Sequence, residues 1–540
     1  MLFAVRSATA LHRLLDVLPV FAGDERVRRV FTLLPGSDFG VDALASIERA
    51  RARTVPWEEA RRRPYDLILA ASPKGELGLL RGPRALFPHG AGFSKTLRGE
   101  GSGDSASGLD PAYLLPGGRA LASLHALTHP GQIARLAAIS PRAAARAMVV
   151  GDPTLERILA SRTLRDHYRT VLGTGARTLI ALTSTWGPES LLRRHPALPA
   201  QLASQLPYDS YQLAIIVHPN EHSRIGSFDL AEQLAPALDA GAMRAGPYEE
   251  WAAVLVAADA VITDHGSTAL YAAALDRPLI AAYDGGDELI PGSPMDQLLC
   301  VSPPLNGPGG LEAALSAHRP GAARAVAASV FAEQGQGLWR LREELYELLG
   351  IAPPTTPAEA RLLPAPPPPA RTPAAFAVRV HSDDTGVRVD RYPAHTDMPA
   401  HFLAAEHGTA GERHVQSAGL LYRWAARTAP TAHRVSWTAG GWTARTLDDY
   451  PGCGTAAAVL SHSLCVVRTR SGALLTVRIA PCEESDGRIV RADPAAVLCA
   501  VHSWLKTCPA LPTAVTCAIG GRSFTARLAP TTVDEAALEF

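Results

Sequence analysis

The amino-acid sequence predicts an α/β protein with two Rossmann-like domains, followed by a smaller α+β domain. Three observations support that fold class. Apolar, strand-like runs alternate with helical stretches through the first 350 residues, as in parallel sheets that helices cover on both faces. A proline-rich stretch follows, and the rest of the chain is dominated by hairpin-like segments. A chain of 540 residues also has room for about three or four domains.

The first Rossmann-like domain is predicted over residues 1–172. A helix is expected through "LHRLLDVL", and strands are expected at "MLFAV", "RRVFTLL", "YDLILAAS", "RALFPHG" and "AMVVGDP". Because helices separate these strands, parallel pairing is expected.

The second Rossmann-like domain is predicted over residues 173–350. Its strands are expected at "RTLIALTSTWG", "YQLAIIVHP", "ADAVITDHG" and "RPLIAAYD". The amphipathic pattern "LWRLREELYELLG" predicts a last helix that ends at Gly350. Two such sheets in succession indicate two domains that face one cleft.

Residues 351–374 are predicted to be a linker, because their many prolines fit neither a helix nor a central strand. Residues 375–540 then form the predicted α+β domain, with helices over 455–463 and 494–507. Its hairpins are expected at "AFAVRVHSDDTGVRVDRYP", "HRVSWTAGGWTARTL", "SLCVVRTRSGALLTVRIAP" and "TAVTCAIGGRSFTARLAP". In the second of these, Trp437 and Trp442 would either pack as a cross-strand pair or form a binding platform.

Composition excludes several classes of partner. Lys and Arg number 52 and Asp and Glu number 52, so no overall field recruits nucleic acid or an acidic membrane. No apolar run approaches the roughly 20 residues of a transmembrane helix, and a cytoplasmic protein is expected, with attachment to the inner membrane face through a partner left open. The cysteines form no CxxC pair, so no zinc site is expected. The absence of a GxxxxGK[ST] loop excludes a GTPase or a translation factor of that kind.

The strongest functional motif is "ADAVITDHGSTALYAAALDRPLIAAYD", residues 258–284. It predicts a buried strand that stops at Asp264-His265-Gly266 and continues into a helix that begins near Ser267 and Thr268. At the carboxyl end of a parallel strand, free amides and hydroxyl groups would attract a phosphate. The alternative is that Ser267 or Thr268 simply caps the helix.

Two further strand ends belong to the same predicted sheet. His218 follows the strand "YQLAIIV", and Pro219 holds it in an extended conformation at the carboxyl edge. "LIALTSTWGPES" puts Ser184, Thr185 and Gly187 at another strand-to-helix turn. Three strand ends would therefore converge, although His218 is also explained as an ordinary turn residue.

A glycine-rich turn in the first domain supplies the third candidate. In "RALFPHGAGFSK", His89 follows a strand and precedes a turn with few side chains, where a substrate approaches the backbone closely. Because the pKa of histidine is near neutral, His89 is a candidate general base. The alternatives are that His89 is incidental to the turn, or that Lys95, one of three lysines, meets a phosphate instead.

Taken together, these motifs resemble the CDP-glycerol glycerophosphotransferase family, a branch of the glycosyltransferase-B (GT-B) fold. The resemblance covers roughly residues 1–350 and is strongest over 176–285. It rests on the "HG" turn, "VVGDP", "STWGP", "IIVHPN" and "ADAVITDHGSTALYAAALDRPLI". UDP-sugar 2-epimerases share part of the fold and the "TD" turn, so the resemblance indicates the fold more specifically than the substrate.

The resemblance implies roles for the candidate residues. His89 would be the base, His218 would meet a donor phosphate or leaving group, and Asp264 would belong to the catalytic set. The residues that would bind the donor are Ser184, Thr185, Gly187, His265, Gly266, Ser267 and Thr268. The chain departs from the family pattern at Pro88, where the family has tryptophan, and after "TD", where an aromatic residue and two serines are usual.

The implied activity is transfer of a glycosyl or glycerophosphate group. A CDP- or UDP-linked donor would be held by residues 173–350, and residues 1–172 would hold the acceptor hydroxyl, for which attachment to a polymer or lipid carrier stays open. No metal or other cofactor is expected. One alternative is a nucleotide- or sugar-binding sensor that has lost catalysis, since the motifs are altered and a further domain is appended. The other is a UDP-sugar 2-epimerase-like enzyme.

Overall fold

A computed structural model of the chain consists of two parallel sheets, each flanked by helices, and a closed β-barrel. The residues that the structure describes are 1–36, 40–88, 90–96, 106–246, 248–383, 386–394, 398–425, 435–507 and 513–540. The two sheets confirm the predicted pair of Rossmann-like folds. The barrel corrects the prediction for the last part of the chain.

The first sheet has six parallel strands in the order β2-β1-β3-β4-β5-β6. They are β1 (Leu2–Val5), β2 (Val30–Leu33), β3 (Ile68–Ala70), β4 (Arg84–Leu86), β5 (Leu124–Leu127) and β6 (Ala147–Val149). Strand β1 is buried throughout, as expected for a strand covered on both faces. The order reverses between β1 and β3, which makes the carboxyl end of β1 a topological switch point.

Eight helices follow β1 and precede the second sheet in the described part of the chain. They are α1 (Ala8–Val17), α2 (Gly40–Arg49), α3 (Trp57–Ala60), α4 (Pro111–Leu114), α5 (Pro130–Ile139), α6 (Pro141–Ala144), α7 (Pro153–Ala160) and α8 (Arg165–Val171). Helix α1 begins directly after β1, where Ser7 caps it by accepting a hydrogen bond from Ala10 N. Its buried Leu11 and Leu14 pack into the core under the sheet, so its polar face is left for the switch point.

The second sheet has five parallel strands in the order β11-β10-β7-β8-β9. They are β7 (Thr178–Ser184), β8 (Tyr211–Val217), β9 (Met243–Arg244), β10 (Ala260–Thr263) and β11 (Leu279–Ala281). The order reverses between β7 and β10. The motif at 258–284 therefore begins in the strand that borders the second switch point, as its sequence predicts.

Nine helices accompany the second sheet in the described ranges, and a tenth returns to the first sheet. They are α9 (Leu191–Arg194), α10 (Leu198–Gln205), α11 (Pro219–Ile225), α12 (Ser227–Asp239), α13 (Glu250–Ala257), α14 (Thr268–Ala274), α15 (Pro294–Val301), α16 (Leu311–Ser316), α17 (Ala322–Ala328) and the returning α18 (Gly337–Leu349). Helix α18 buries Leu341 and Leu345 against the first sheet and ends at Gly350 with a φ of +66°. This ending confirms the expected glycine cap.

The segment 351–374 contains no helix or strand, as its prolines predict. It nevertheless lies firmly on the body of the protein. Leu363 is buried, its backbone nitrogen donates to Ser161 Oγ (2.9 Å), and its carbonyl accepts from the Tyr168 hydroxyl (2.7 Å). The segment is therefore a strap attached to α8 and its neighbours rather than a free tether.

The last part of the chain contains eleven strands and four helices among its described residues. The strands are β12 (Ala375–Asp383), β13 (Gly386–Pro393), β14 (Phe402–Glu406), β15 (Leu420–Trp424), β16 (Thr455–Ser461), β17 (Leu464–Thr469), β18 (Leu474–Ile479), β19 (Cys482–Glu483), β20 (Ile489–Val490), β21 (Ala514–Ile519) and β22 (Arg522–Pro530). The helices are α19 (Glu412–Ser417), α20 (Ala439–Asp449), α21 (Pro494–Thr507) and α22 (Val533–Ala536). All strands except β19 and β20 form one closed barrel.

Helix α21 forms the centre of this barrel. It is buried from Pro494 to Ser503, and side chains from all nine barrel strands share one apolar core with it. Closure removes the exposed edges that an open sheet of this size would leave. The region is therefore a closed barrel filled by a helix, which corrects the small α+β domain expected from the sequence.

Local predictions for this region had mixed outcomes. The hairpins β12–β13, β17–β18 and β21–β22 and the helix over 494–507 are confirmed. The hairpin expected around Trp437 and Trp442 is wrong, because Thr438 caps helix α20 there and buries Trp442. The helix expected over 455–463 is also wrong, since this alanine-rich segment is strand β16 in the barrel wall.

The barrel contacts the second sheet at the end opposite its carboxyl edge. Arg391 of β13 is fully buried, and its guanidinium pairs with Asp209 (2.8 and 2.6 Å) and with Asp493 (2.6 Å). Tyr208 N donates to the Arg391 carbonyl (2.8 Å). Because these second-sheet residues precede β8, the barrel lies at the amino-terminal ends of the strands.

Candidate functional site

A cavity lies between the carboxyl ends of the two parallel sheets. The first sheet contributes residues of α1, which follows β1, and the segment Gly90–Lys95, which follows β4. The second sheet contributes the ends of β7, β8 and β10. Of the residues predicted from the sequence, the cavity is lined by Ser184, Thr185, His218, Asp264, His265, Gly266, Ser267 and Thr268.

Asp264 joins the turns that follow β7 and β10. Its Oδ2 accepts hydrogen bonds from Thr185 N (2.8 Å) and Leu191 N (2.9 Å), and its Oδ1 accepts one from Gly266 N (2.9 Å). Burial raises the pKa of Asp264 above its usual range, although His265 and the amides act in the opposite direction. With both oxygens bound to backbone amides, Asp264 fixes the two turns relative to each other.

The turn after Asp264 has the form predicted from the sequence, but its helix is short. Helix α14 spans seven residues, Thr268–Ala274, and Ser267 precedes it with helical backbone angles and no side-chain capping bond. The capping alternative therefore does not account for Ser267. A methyl group at Gly90, in the first sheet's segment, would lie 3.3 Å from Ser267 Oγ. The Ser267 hydroxyl thus lies close to the opposite wall of the cavity.

His218 is fixed at the start of α11. Its Nδ1 accepts a hydrogen bond from Asn220 N (3.0 Å), and its backbone nitrogen donates to the Ser184 carbonyl (3.0 Å). A neutral imidazole that accepts at Nδ1 carries its proton on Nε2 and is a donor there. His218 is consequently both a capping residue and a cavity residue, with the Trp186 ring 6.4 Å away between centroids.

Lys95 crosses the cleft from the first sheet to the second. Its Nζ lies 2.7 Å from Glu288 Oε2 and donates to the Trp186 carbonyl (2.7 Å). Glu288 Oε2 also lies 3.3 Å from His265 Nε2, and the Tyr283 hydroxyl lies 3.2 Å from His265 Nδ1. Burial by itself would raise the pKa of Glu288, but the hydrogen bonds from His265 and Lys95 lower it overall.

Gly187 lies beside this cross-cleft pair and does not itself line the cavity. Its φ of +97° suits glycine, and a Cβ there would approach Glu288 Oε1 to 3.4 Å and Lys95 Nζ to 3.6 Å. Its backbone nitrogen donates to Glu221 Oε2 (3.3 Å). Gly187 therefore shapes the turn after β7, and its predicted contact with a donor stays a prediction.

A second polar cluster closes the other end of the cleft. Arg13 forms a bidentate pair with Asp152 (3.0 and 3.2 Å), which also accepts from the Tyr271 hydroxyl (3.0 Å). Arg157 pairs with Asp16 (2.9 Å) and with Glu249 (2.5 Å). The pairs Arg13–Asp152 and Arg157–Asp16 lie within the first half, and the contacts of Tyr271 and Glu249 join them to the second half.

Sequence reasoning did not identify these clusters or Glu288. Their members are far apart in the chain, as Lys95 and Glu288 are at a separation of 193 positions, and they form no short motif. His89, the predicted base, lies outside the described residues. Within the described part of the chain, no group of three or more His, Cys, Asp or Glu side chains is arranged to hold a metal ion, and the helices are too short or too polar to cross a membrane.

Two parallel sheets therefore meet at their carboxyl ends across a shared cavity. Solved structures that match part of the chain include the wall teichoic acid polymerase TagF, with 14% identity over 65% of this chain and 88% of that one and a TM-score of 0.45. They also include Anabaena Alr3699/HepE in complex with UDP-glucose, with 16% identity, 65% and 98% coverage and a TM-score of 0.38. No family model and no curated protein sequence matches the chain.

Proposed function

We propose that the protein is a GT-B-type transferase that moves a glycosyl or glycerophosphate group from a CDP- or UDP-linked donor to an acceptor hydroxyl. The observation that carries the proposal is the position of Ser267. Its hydroxyl caps no helix, lines the cavity and lies beside Gly90 on the opposite wall. A group bound there would touch both halves of the protein, as a donor in transfer to an acceptor must.

The second sheet supplies the groups suited to a donor phosphate. Ser267 and Thr268 offer hydroxyl groups, and His218 lies in the wall of the same cavity. Hydrogen-bond donors that are fixed in a partly buried site stabilise the negative charge on a departing nucleotide more strongly than water does. Asp264 would act as a positioning residue, because it orients the turns that present these donors and its own oxygens are bound to amides.

The first sheet would hold the acceptor. The acceptor oxygen would attack the anomeric carbon or the phosphorus of the donor, while the bond from that atom to the nucleotide phosphate breaks and its electron pair leaves with the nucleotide. The acceptor proton would pass to His89, the residue that the sequence resemblance assigns as base and the neighbour of Gly90 in the chain. The donor is already activated, so the proposal includes no metal or other cofactor.

The experiment separates binding from transfer. Calorimetry with CDP-glycerol and UDP-glucose measures donor affinity, and a product assay with acceptor alcohols measures transfer. Ser267→Ala is expected to weaken donor binding by about tenfold, since a hydrogen bond to a charged group is lost, whereas the exposed Ser329→Ala is the matched control. His89→Ala should abolish transfer and leave donor affinity intact.

The same experiment distinguishes the alternatives. Tight donor binding without turnover in the wild-type protein would identify a sensor. Conversion of the donor without an acceptor would identify an epimerase-like enzyme. If neither donor binds and no nucleotide raises the unfolding temperature, the transferase proposal is wrong.

A further inference from the structure

The first-sheet wall of the cavity contains polar atoms without partners. Thr9 Oγ1 and His12 Nε2 of α1, and Ser107 Oγ, are buried and form no hydrogen bond in the described structure. All three residues line the cavity between the sheets. Buried polar groups are nearly always hydrogen-bonded, so three exceptions around one cavity call for a shared explanation.

These atoms belong to uncharged groups. Two are hydroxyl groups, and burial lowers the pKa of His12 to about 4, so that its imidazole is neutral at physiological pH. The His12 ring stacks on Tyr248 of the second sheet's half at a centroid distance of 5.1 Å, which fixes its position in the wall. The wall therefore offers uncharged hydrogen-bond donors and acceptors at fixed positions.

The charged side chains of the same wall are already matched. Arg13 is paired with Asp152, and Arg157 is paired with Asp16 and Glu249. A phosphorylated ligand would have to break one of these buried pairs to gain a cation, which is costly because it leaves a buried carboxylate unpaired. A ligand that carries hydroxyl groups and no charge has no such cost.

We propose that Thr9, His12 and Ser107 form an acceptor subsite for an uncharged polyhydroxy compound, such as a sugar or a polyol. This inference rests on the proposed transferase function and deepens it by naming the acceptor class. The hydroxyl groups of the acceptor satisfy the three unpaired atoms, and the same atoms discriminate against phosphorylated acceptors. The acceptor would occupy the cavity that Thr9, His12 and Ser107 line.

Saturation-transfer NMR on the full chain tests the acceptor class directly. Methyl α-glucoside and glycerol are the neutral probes, glucose 6-phosphate and glycerol 3-phosphate are the charged ones, and each is measured with and without UDP or CDP. The neutral probes are expected to bind at least about tenfold more tightly than their phosphorylated counterparts. Equal or tighter binding of the phosphorylated probes, or no binding of the neutral ones, would overturn the inference.

Variants locate the subsite. Thr9→Val and Ser107→Ala remove hydroxyl groups with little change of volume, and His12→Phe keeps the ring that stacks on Tyr248. Each is expected to weaken neutral-probe binding by about five- to tenfold, while Thr170→Val on the exposed face of α8 leaves it unchanged. If the three variants bind the probes like the wild-type protein, the subsite lies elsewhere.

The two proposals fail differently. Suppose that the neutral probes bind and that the Thr9 and His12 variants weaken this binding, but that the protein binds no nucleotide. That result would refute the transferase proposal and keep the subsite. Nucleotide binding and transfer that persist unchanged in the Thr9, His12 and Ser107 variants would refute the subsite and keep the transferase.

Discussion

The cleft and the barrel contact both bury charged side chains, but they do so in different surroundings. At the barrel contact, Arg391 is enclosed between Asp209 and Asp493, and its Nε and Nη2 bond the two carboxylates while its buried Nη1 has no partner. In the cleft, Asp264 and His265 are equally buried but lie in the wall of a cavity. The comparison indicates that burial of charge alone does not mark a functional site. What distinguishes the cleft from the barrel contact is the adjoining cavity, which hydrogen-bonding side chains line.

The comparison predicts separate effects on stability and on ligand binding. Disruption of the barrel contact should destabilise the protein and leave ligand affinity of the surviving folded molecules unchanged. Disruption of the cleft should lower both the stability of the protein and its ligand affinity.

Arg391→Met should have the largest effect on stability. The substitution leaves the carboxylates of Asp209 and Asp493 without their guanidinium, and breaking a buried ion pair from one side costs roughly 3–5 kcal/mol. Thermal unfolding of the full chain measures the loss, and calorimetry with UDP or CDP checks that nucleotide affinity is retained. Arg445→Met, which removes an exposed pair with Asp449, is the control and should cost less than about 1 kcal/mol. Equal unfolding temperatures for the two variants would contradict the assignment.

Asp264→Ala should impair both stability and nucleotide binding. The change leaves the amides of Thr185, Leu191 and Gly266 without an acceptor in a buried turn, at a cost of about 2–4 kcal/mol. Nucleotide affinity should fall because the turn no longer holds Ser267 and Thr268 in place. Asp264→Asn keeps one oxygen acceptor and should lie between the wild-type protein and the alanine variant. Undiminished nucleotide binding by a folded Asp264→Ala protein would show that the turn does not position the site.

Glu288→Gln should have a smaller, pH-dependent effect of about 1–3 kcal/mol at neutral pH. The pKa of Glu288 is lowered in the folded state, so its contribution is complete above the ordinary glutamate pKa. That contribution is lost as the pH falls through the lowered value. Unfolding temperatures of wild-type and variant proteins should therefore converge at acidic pH.

Glu58→Gln, at an exposed surface pair with Arg61, provides the reference for the pH series. Its unfolding temperature should follow that of the wild-type protein at every pH. A constant difference between wild type and Glu288→Gln across the acidic range would show that the carboxylate charge of Glu288 does not stabilise the fold.

The sequence predicts the two sheets and the turns that line the cleft because these are local patterns. A buried run such as β10, followed by an acid, a glycine and two hydroxyl residues, specifies a strand and its end over about ten positions. The order of strands then brings the three turns together, since parallel strands share a carboxyl edge. The position of Ser184, Ser267 and His218 around one cavity therefore follows from sequence and general topology.

Local sequence patterns of this kind do not predict the barrel or the polar clusters. Ala456 and Ala458 of β16 face helix α20, while Ala457 and Val459 face α21, so burial on both faces overrides the helical preference of an alanine-rich segment. Closure of nine strands is likewise a property of distant pairings. The Lys95–Glu288 pair joins a glycine-rich turn to an irregular loop without periodicity, and no local signal connects them.

Hydrogen exchange measured by mass spectrometry, with and without UDP or CDP, tests the difference between cleft and barrel most directly. If nucleotide binds in the cleft, it should slow exchange of the backbone amides in residues 183–192 and 263–271, which include the turns after β7 and β10. Exchange in residues 375–540, which form the barrel, should not change. Nucleotide that slows exchange only in the barrel, and leaves exchange in both turns unchanged, would show that it does not bind in the cleft.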